Sequence, residues 1–167
     1  MGNHSIPSKE KLNNRQVHTV IINRLNIRPM ALSDVADVTQ IEQKATPHPW
    51  RESQFIDSYE KHHCLALTLD SYVIGYAIYS IVVDEAEILN VAIHPEHQNK
   101  GRGRYLLEHL IAIVSENAQR FFLEVRVSNA SAIYVYENIG FVEVCQRKNY
   151  YQTALTSEDA LLMAMEL

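Results

Sequence analysis

Two glycines, Gly101 and Gly103, stand one residue apart in a polar stretch that joins an apolar run to a helical pattern: LNVAIHPEHQNKGRGR over residues 89–104, then YLLEHLIAIV. The apolar run ends at His94-Pro95, and the helix that follows turns its unpaired N–H groups toward the loop. Glycine lets the backbone approach a phosphate oxygen with no side chain between, and a helix start adds free donors and partial positive charge. Such a turn suits the pyrophosphate of an anionic cofactor. The glycine patterns of the common nucleotide folds fit badly, since the run has no GK[ST] and no third glycine. A strand-to-helix turn with nothing bound carries the same residues, so the loop alone leaves the ligand open.

The elements that must position this loop follow from periodicity. VIINRLNIR, from Val20, alternates as a strand, and Ser33 or Asp34 is placed to cap a helix over DVADVTQIEQKA, where Val35, Val38 and Ile41 share a face. Pro47 and Pro49 break that helix, and RESQFIDSYE supplies a second one. CLALTLD and YVIGYAIYSIV are apolar strands joined at Asp70-Ser71, a hairpin signal, and residues 85–93 form another strand. The helix beginning at Tyr105 presents Leu106, Leu107, Leu110, Ile111, Val114 and Ala118 to a sheet. FFLEVRV is the next strand, residues 129–139 a short helix closed by Gly140, and FVEVCQRKNYY and ALLMAMEL the last two strands. The expected class is α/β (α+β): one mixed central sheet of about seven strands with about four helices on its faces. A strand, crossover helix and strand over residues 85–127 implies local parallel pairing. Residues 1–20, polar and without periodicity, read as a flexible N-terminal extension, and residues 21–167 as one domain.

Composition narrows the function classes. The chain has 167 residues, 47% of them hydrophobic and 21% charged, and no apolar run reaches the roughly 18 residues of a membrane span. The first residues lack the apolar core of a signal peptide, so a cytoplasmic protein with no membrane role is expected. A formal charge of −5 argues against general nucleic-acid binding, which depends on basic patches. His94 and His97, like His62-His63, have no further ligands at metal spacing, so no metal is expected. Cys64 and Cys145 make no disulfide or metal pattern and read as small apolar fillers in strands.

The loop resembles the acetyl-CoA segment of the GNAT superfamily of N-acetyltransferases, [QR]-x-x-G-x-[GA], reading Gln98-Asn99-Lys100-Gly101-Arg102-Gly103 here. FLEVRVSNASAIYVYENIGFVEV resembles that superfamily's closing motif, a strand followed by an Asn-led helix that bears a tyrosine and ends in GF. DEAEILNVAIHP, YLLEHLI, LEVRVSNASAI, RKNYY and EDALLMAM are similar to the bacterial ribosomal-protein alanine N-acetyltransferases, the RimI family, across residues 21–167.

The resemblance implies acetyl transfer from acetyl-CoA to an amine, which needs a neutral amine, a polarised carbonyl and a proton for the departing thiolate. It implies Glu124 as general base, acting directly or through water. The residue itself is equally a structural partner for Arg126 or a neighbour. It implies Tyr136 as general acid. Tyr134, two residues away on a helix, must face elsewhere. Asn129 is implied as a cofactor contact and is also placed to cap its helix. Main-chain groups of Val91, Ala92 and Ile93 are implied to hold the pantetheine arm and the acetyl carbonyl, and Asn99, Lys100, Gly101, Arg102, Gly103 and Arg104 the pyrophosphate. Arg102 replaces the apolar residue usual between the glycines, and His94 a frequent Asp.

For the acceptor, the family resemblance implies the N-terminal alanine of a small-subunit ribosomal protein, with a lysine or small-molecule amine as the competing substrate and a non-catalytic acyl-CoA module as the third reading. A protein N-terminus titrates near pH 8, so neutralising it at pH 7 costs about 1.4 kcal/mol, against about 4.6 kcal/mol for lysine. Substrate-binding positions implied by the resemblance are Trp50, after Pro49, and the pair Tyr150-Tyr151. Trp50 is equally suited to the core, and two adjacent tyrosines in a regular strand cannot both face inward. Asp84, Glu85 and Glu87 read as a solvated turn.

Overall fold

The computed structural model describes residues 25–152 and 156–167; the expected extension over residues 1–20 and the start of the first predicted strand lie outside them. The described chain runs β1 (Leu25–Pro29), α1 (Val35–Ala45), α2 (Glu52–Lys61), β2 (His63–Leu69), β3 (Tyr72–Val82), β4 (Glu85–Ile93), α3 (Arg102–Val114), β5 (Arg120–Arg126), α4 (Ala130–Asn138), β6 (Val142–Gln152) and β7 (Ser157–Glu166). Short 3-10 turns at Leu32–Asp34 and Pro95–His97 precede α1 and open the loop before α3.

The strands form one seven-stranded sheet in the order β1-β2-β3-β4-β5-β7-β6. Every neighbouring pair is antiparallel except β4 with β5, which α3 joins by a crossover. Asp70 and Ser71 both adopt positive φ, 49° and 76°, the two-residue turn whose twist suits the β2–β3 hairpin. The helical apolar spacing of α3 lays Leu106, Leu107, Leu110 and Val114 on one face of the sheet, against Phe121, Leu123 and Val125. Val35, Val38 and Ile41 of α1 and Phe55 of α2 pack on the other face with Ala66, Tyr76 and Ile78. The mixed α/β sheet between helical layers agrees with the sequence expectation.

Three local expectations differ from the structure. The Asp34 side chain does not cap α1: Arg28 takes both its oxygens, at 2.6 and 2.9 Å, and the Ala31 N–H donates to it at 2.7 Å. The stronger, charged donor prevails. Helix α3 starts at Arg102 rather than Tyr105, so Gly103 and Arg104 occupy its first turn. Cys145 is exposed, because β6 is an edge strand with almost no cover, and only Cys64 behaves as a partly buried filler. Burial pushes the Cys64 thiol up to about 11.

Candidate active site

The sheet opens at its centre. Residues 85–88 of β4 pair with residues 120–123 of β5, and beyond Ile88 and Leu123 the ladder stops, leaving the β4 edge over residues 89–93 unpaired toward β5. On its other side β4 keeps its ladder to β3 as far as Gly75↔Ile93, with a bulge at Leu89 between the pairs Tyr79↔Ile88 and Ile78↔Asn90. A bulge puts two successive residues on one face. Leu89 packs on the α1 side, Asn90 also reaches α1, and Val91 returns to the α3 side. The main-chain groups of Val91, Ala92 and Ile93 thus line a gap between two strands of one sheet.

The loop that follows is folded onto this gap. The His94 N–H donates to the Ile74 carbonyl at 2.8 Å, and Gln98 Nε2 donates to the Ile93 carbonyl at 2.9 Å. Asn99 and Gly101 take positive φ, 57° and 74°, and Gly101 is the N-cap of α3 with no side-chain cap hydrogen bond. The first N–H groups of α3 are therefore left to an external acceptor. Lys100 Nζ donates to the Glu96 carbonyl at 2.6 Å, Arg104 pairs with Glu108 at 2.7 Å, and Arg102 is turned onto His97 Nδ1. Burial, then the charges of Arg102, His94 and Lys100, lower the His97 pKa.

Glu124 follows Leu123 on β5, one residue past the last ladder pair, with its side chain 14% exposed. It is ion-paired with Arg147 of β6. The Tyr150 phenol hydrogen-bonds it, and that bond, followed by burial, raises the phenol's pKa. Glu87 lies opposite on β4; burial, then the charge of Glu124, raises its carboxyl while Arg147 opposes the rise. Of the two partners left open by the sequence, the neighbour rather than Arg126 is found. Arg126 pairs with Glu158 at 2.9 Å and lies 4.0 Å from the centre of the Tyr151 ring.

Tyr136 is buried, its ring 5.9 Å from Phe141, and burial followed by Tyr151 drives its phenol far above the ordinary value. Tyr134 is 67% exposed, as the helical spacing requires. Tyr151 feels both Glu124 and Tyr136, so these three side chains share one neighbourhood. Asn129 Oδ1 accepts the Ala132 N–H at 3.3 Å and caps α4.

The rule that adjacent tyrosines point apart fails here. Between Arg147↔Ala160 and Tyr151↔Glu158 the β6 strand carries extra residues, with Asn149 at φ 53° and its N–H bound to Asp159 at 2.7 Å. This bulge brings both rings to the Glu124 side, 5.1 Å apart and edge to face.

Sequence reasoning passed over Glu42 and Arg147. Arg147 sat inside RKNYY and was not singled out. Glu42 carried a clear signal, a carboxylate seven residues after Val35 and four after Val38, on the apolar stripe of α1. It is 4% exposed and accepts the Tyr76 O–H at 2.6 Å, the Trp50 N–H at 3.1 Å and Asn90 Nδ2 at 3.2 Å. Trp50 itself is half-buried, 5.5 Å from Phe55.

The sequence profile of the Acetyltransferase (GNAT) family matches residues 35–141. The chain is 42% identical to a [ribosomal protein bS18]-alanine N-acetyltransferase from Salmonella typhimurium, over 83% of this chain and 95% of that protein. The crystal structure of the ribosomal-protein-S18-alanine N-acetyltransferase from Escherichia coli superposes with a TM-score of 0.79 at 39% identity, covering 85% of this chain and 93% of that one. A GNAT family acetyltransferase from Elizabethkingia anophelis with acetyl-CoA bound shares the fold, with a TM-score of 0.72 at 20% identity over 87% of this chain and 99% of that one. An opened mixed sheet with a glycine loop at its mouth, and a matching profile across both motifs, place this chain in the GNAT family of acetyltransferases.

Proposed function

We propose that this chain is an acetyl-CoA-dependent N-alpha-acetyltransferase that acts in the cytoplasm on the N-terminal alanine of a small-subunit ribosomal protein. The observation that carries the substrate is the 42% identity to the Salmonella bS18-alanine enzyme along 95% of its length. The residues suit the cosubstrate. The start of α3 has no capping side chain, and a Cβ on Gly101 would meet nothing within 4 Å, so a pyrophosphate has both donors and room. Asn99, Lys100, Gly101, Arg102, Gly103 and Arg104 would hold it, and the unpaired β4 edge at Val91, Ala92 and Ile93 would hold the pantetheine amides and the thioester carbonyl. Asn129 keeps Nδ2 for the cofactor while Oδ1 caps α4.

In this reading Glu124 receives the proton that the acceptor ammonium must lose, directly or through water. The amine nitrogen then bonds to the acetyl carbon, the carbon–sulfur bond breaks as Tyr136 gives its proton to the departing thiolate, and the second proton that the nitrogen sheds on becoming an amide restores the phenol. Trp50 on the α1–α2 loop and Tyr150-Tyr151 on the β6 bulge flank the acceptor. The test compares a peptide beginning with alanine against the same peptide with a blocked N-terminus and a free internal lysine. Acetylation of the first alone is expected, and transfer only to the lysine overturns the assignment. Mass spectrometry of ribosomal protein N-termini from cells lacking the chain then identifies the target.

A further inference from the structure

We propose that Glu42 is a positioning residue that ties the acceptor-side loop to the reactive end of β4, so that one buried carboxylate sets the distance between amine and acetyl donor. This inference rests on the acetyltransferase reading above. Glu42 touches neither substrate nor cofactor in that reading. Its three hydrogen bonds come from three different elements: the main chain of the α1–α2 loop at Trp50, the β3 phenol of Tyr76, and the side chain of Asn90 in the β4 bulge.

All three donors are neutral, and the carboxylate is 4% exposed. Burying a carboxylate is costly unless hydrogen bonds replace its water, and a leucine on this stripe of α1 would avoid that cost. What leucine cannot do is fix three donors at once. The tie is reinforced by rings: Trp50 lies 5.5 Å from Phe55, and Phe55 lies 5.3 Å from Tyr76. Main chain and side chain of the loop are thus anchored to the same patch. Burial, then the charge of Glu42, pushes the Tyr76 phenol far up, so it donates throughout the working pH range.

The geometry links this hub to the chemistry. Asn90 stands two residues past Ile88, whose ladder partner Leu123 immediately precedes Glu124. It is also the residue before Val91, whose main chain opens the unpaired edge. The β3 ladder holds that edge as far as Gly75↔Ile93 by itself, so loss of the tie chiefly releases Trp50 and the loop that flanks the acceptor.

The test uses the full chain and Glu42→Leu, which fits the apolar stripe of α1 but removes both acceptor oxygens, so all three ties are lost. Trp50 is the single tryptophan, so its emission and acrylamide quenching report the loop with no substrate present. We expect Glu42→Leu to raise Trp50 quenching at least twofold and the KM for an alanine-starting peptide at least tenfold, with the acetyl-CoA Kd within twofold of wild type. Unchanged quenching, or equal losses for peptide and acetyl-CoA, overturns the proposal. Tyr76→Phe removes only the hydroxyl and carries the test if Glu42→Leu does not fold; it should raise peptide KM two- to fivefold with a smaller rise in quenching, and no change in either is equally fatal. If the wild type fails to acetylate the peptide, the acetyltransferase reading falls, and the quenching measurement still decides the tie.

Discussion

At the scale of single residues, the chemistry separates by environment. Glu124 is held between Arg147 and the Tyr150 phenol with part of its side chain open, whereas Tyr136 is buried among apolar neighbours. A phenol's ordinary pKa is about 10, and burial moves that of Tyr136 higher still, so it keeps its proton wherever the enzyme works. That is the state a general acid needs. Tyr136→Phe should lower kcat by about 10²-fold or more while leaving the acetyl-CoA Kd near wild type. Steady-state turnover beside equilibrium cofactor titration separates the two. The wild-type rate should climb toward pH 8 as the acceptor amine loses its proton and show no decline from Tyr136 below about pH 10. Turnover unchanged in Tyr136→Phe would move the acid elsewhere.

At the scale of elements, two glycines make opposite demands. A Cβ on Gly75 of β3 would lie 2.5 Å from Ile93 Cδ1 and 2.9 Å from the Ala92 carbonyl, so the β3–β4 ladder itself requires glycine at the site's edge. A Cβ on Gly103 would meet only Ile93 Cγ1 at 3.7 Å, an ordinary contact, and the first turn of α3 would gain from alanine. Gly75→Ala should therefore destabilise the fold by about 1–3 kcal/mol. Gly103→Ala should leave the thermal midpoint equal or higher and acetyl-CoA binding near wild type, because the loop pattern takes glycine or alanine at this position. Melting curves with and without acetyl-CoA test both, and a lost acetyl-CoA stabilisation in Gly103→Ala would show that the ligand leaves no room for a methyl group at this turn. The loop was legible in the sequence as a glycine pair at a helix start, whereas Glu124 and Tyr136 were singled out by the resemblance to the GNAT closing motif, because an apolar strand and a helical spacing alone mark them only as structural. Arg147 and the paired approach of Tyr150 and Tyr151 were not legible, since they depend on a β6 bulge and on register against β7, which no run of residue types specifies. Glu42 was legible in part, as a charge on an apolar stripe, but its donors come from three distant segments.

At the scale of the whole molecule, the site exists because the sheet is continuous at one end and parted at the other. Four ladder pairs join β4 to β5, and past them β5 keeps its ladder to β7 as far as Arg126↔Ala160, with side chains tying the strand ends together. Arg126 and Glu158 form the most enclosed of these ties, and Glu158 Oε1 also accepts the Ser128 N–H at 2.9 Å where β5 turns toward α4. The Ser128 hydroxyl and N–H, and then Arg126, hold the Glu158 carboxyl down at about 2 from its ordinary 4.5. The folded state thus binds this proton less readily than the unfolded state, so the contribution is complete above about pH 4.5 and is lost as pH falls through about 2. Arg28 lowers the Asp34 carboxyl too at the start of α1, so that end of the fold also loses stability as the pH falls. In denaturant titrations from pH 7 to pH 2, Glu158→Gln should be less stable than wild type at pH 7 and should converge on it as the pH falls. At pH 7 it should also raise peptide KM, because Arg126, released from Glu158, no longer fixes the Tyr151 ring at 4.0 Å. Parallel stability curves for the two proteins across that range would show that Glu158 is not an anchor of the C-terminal strands.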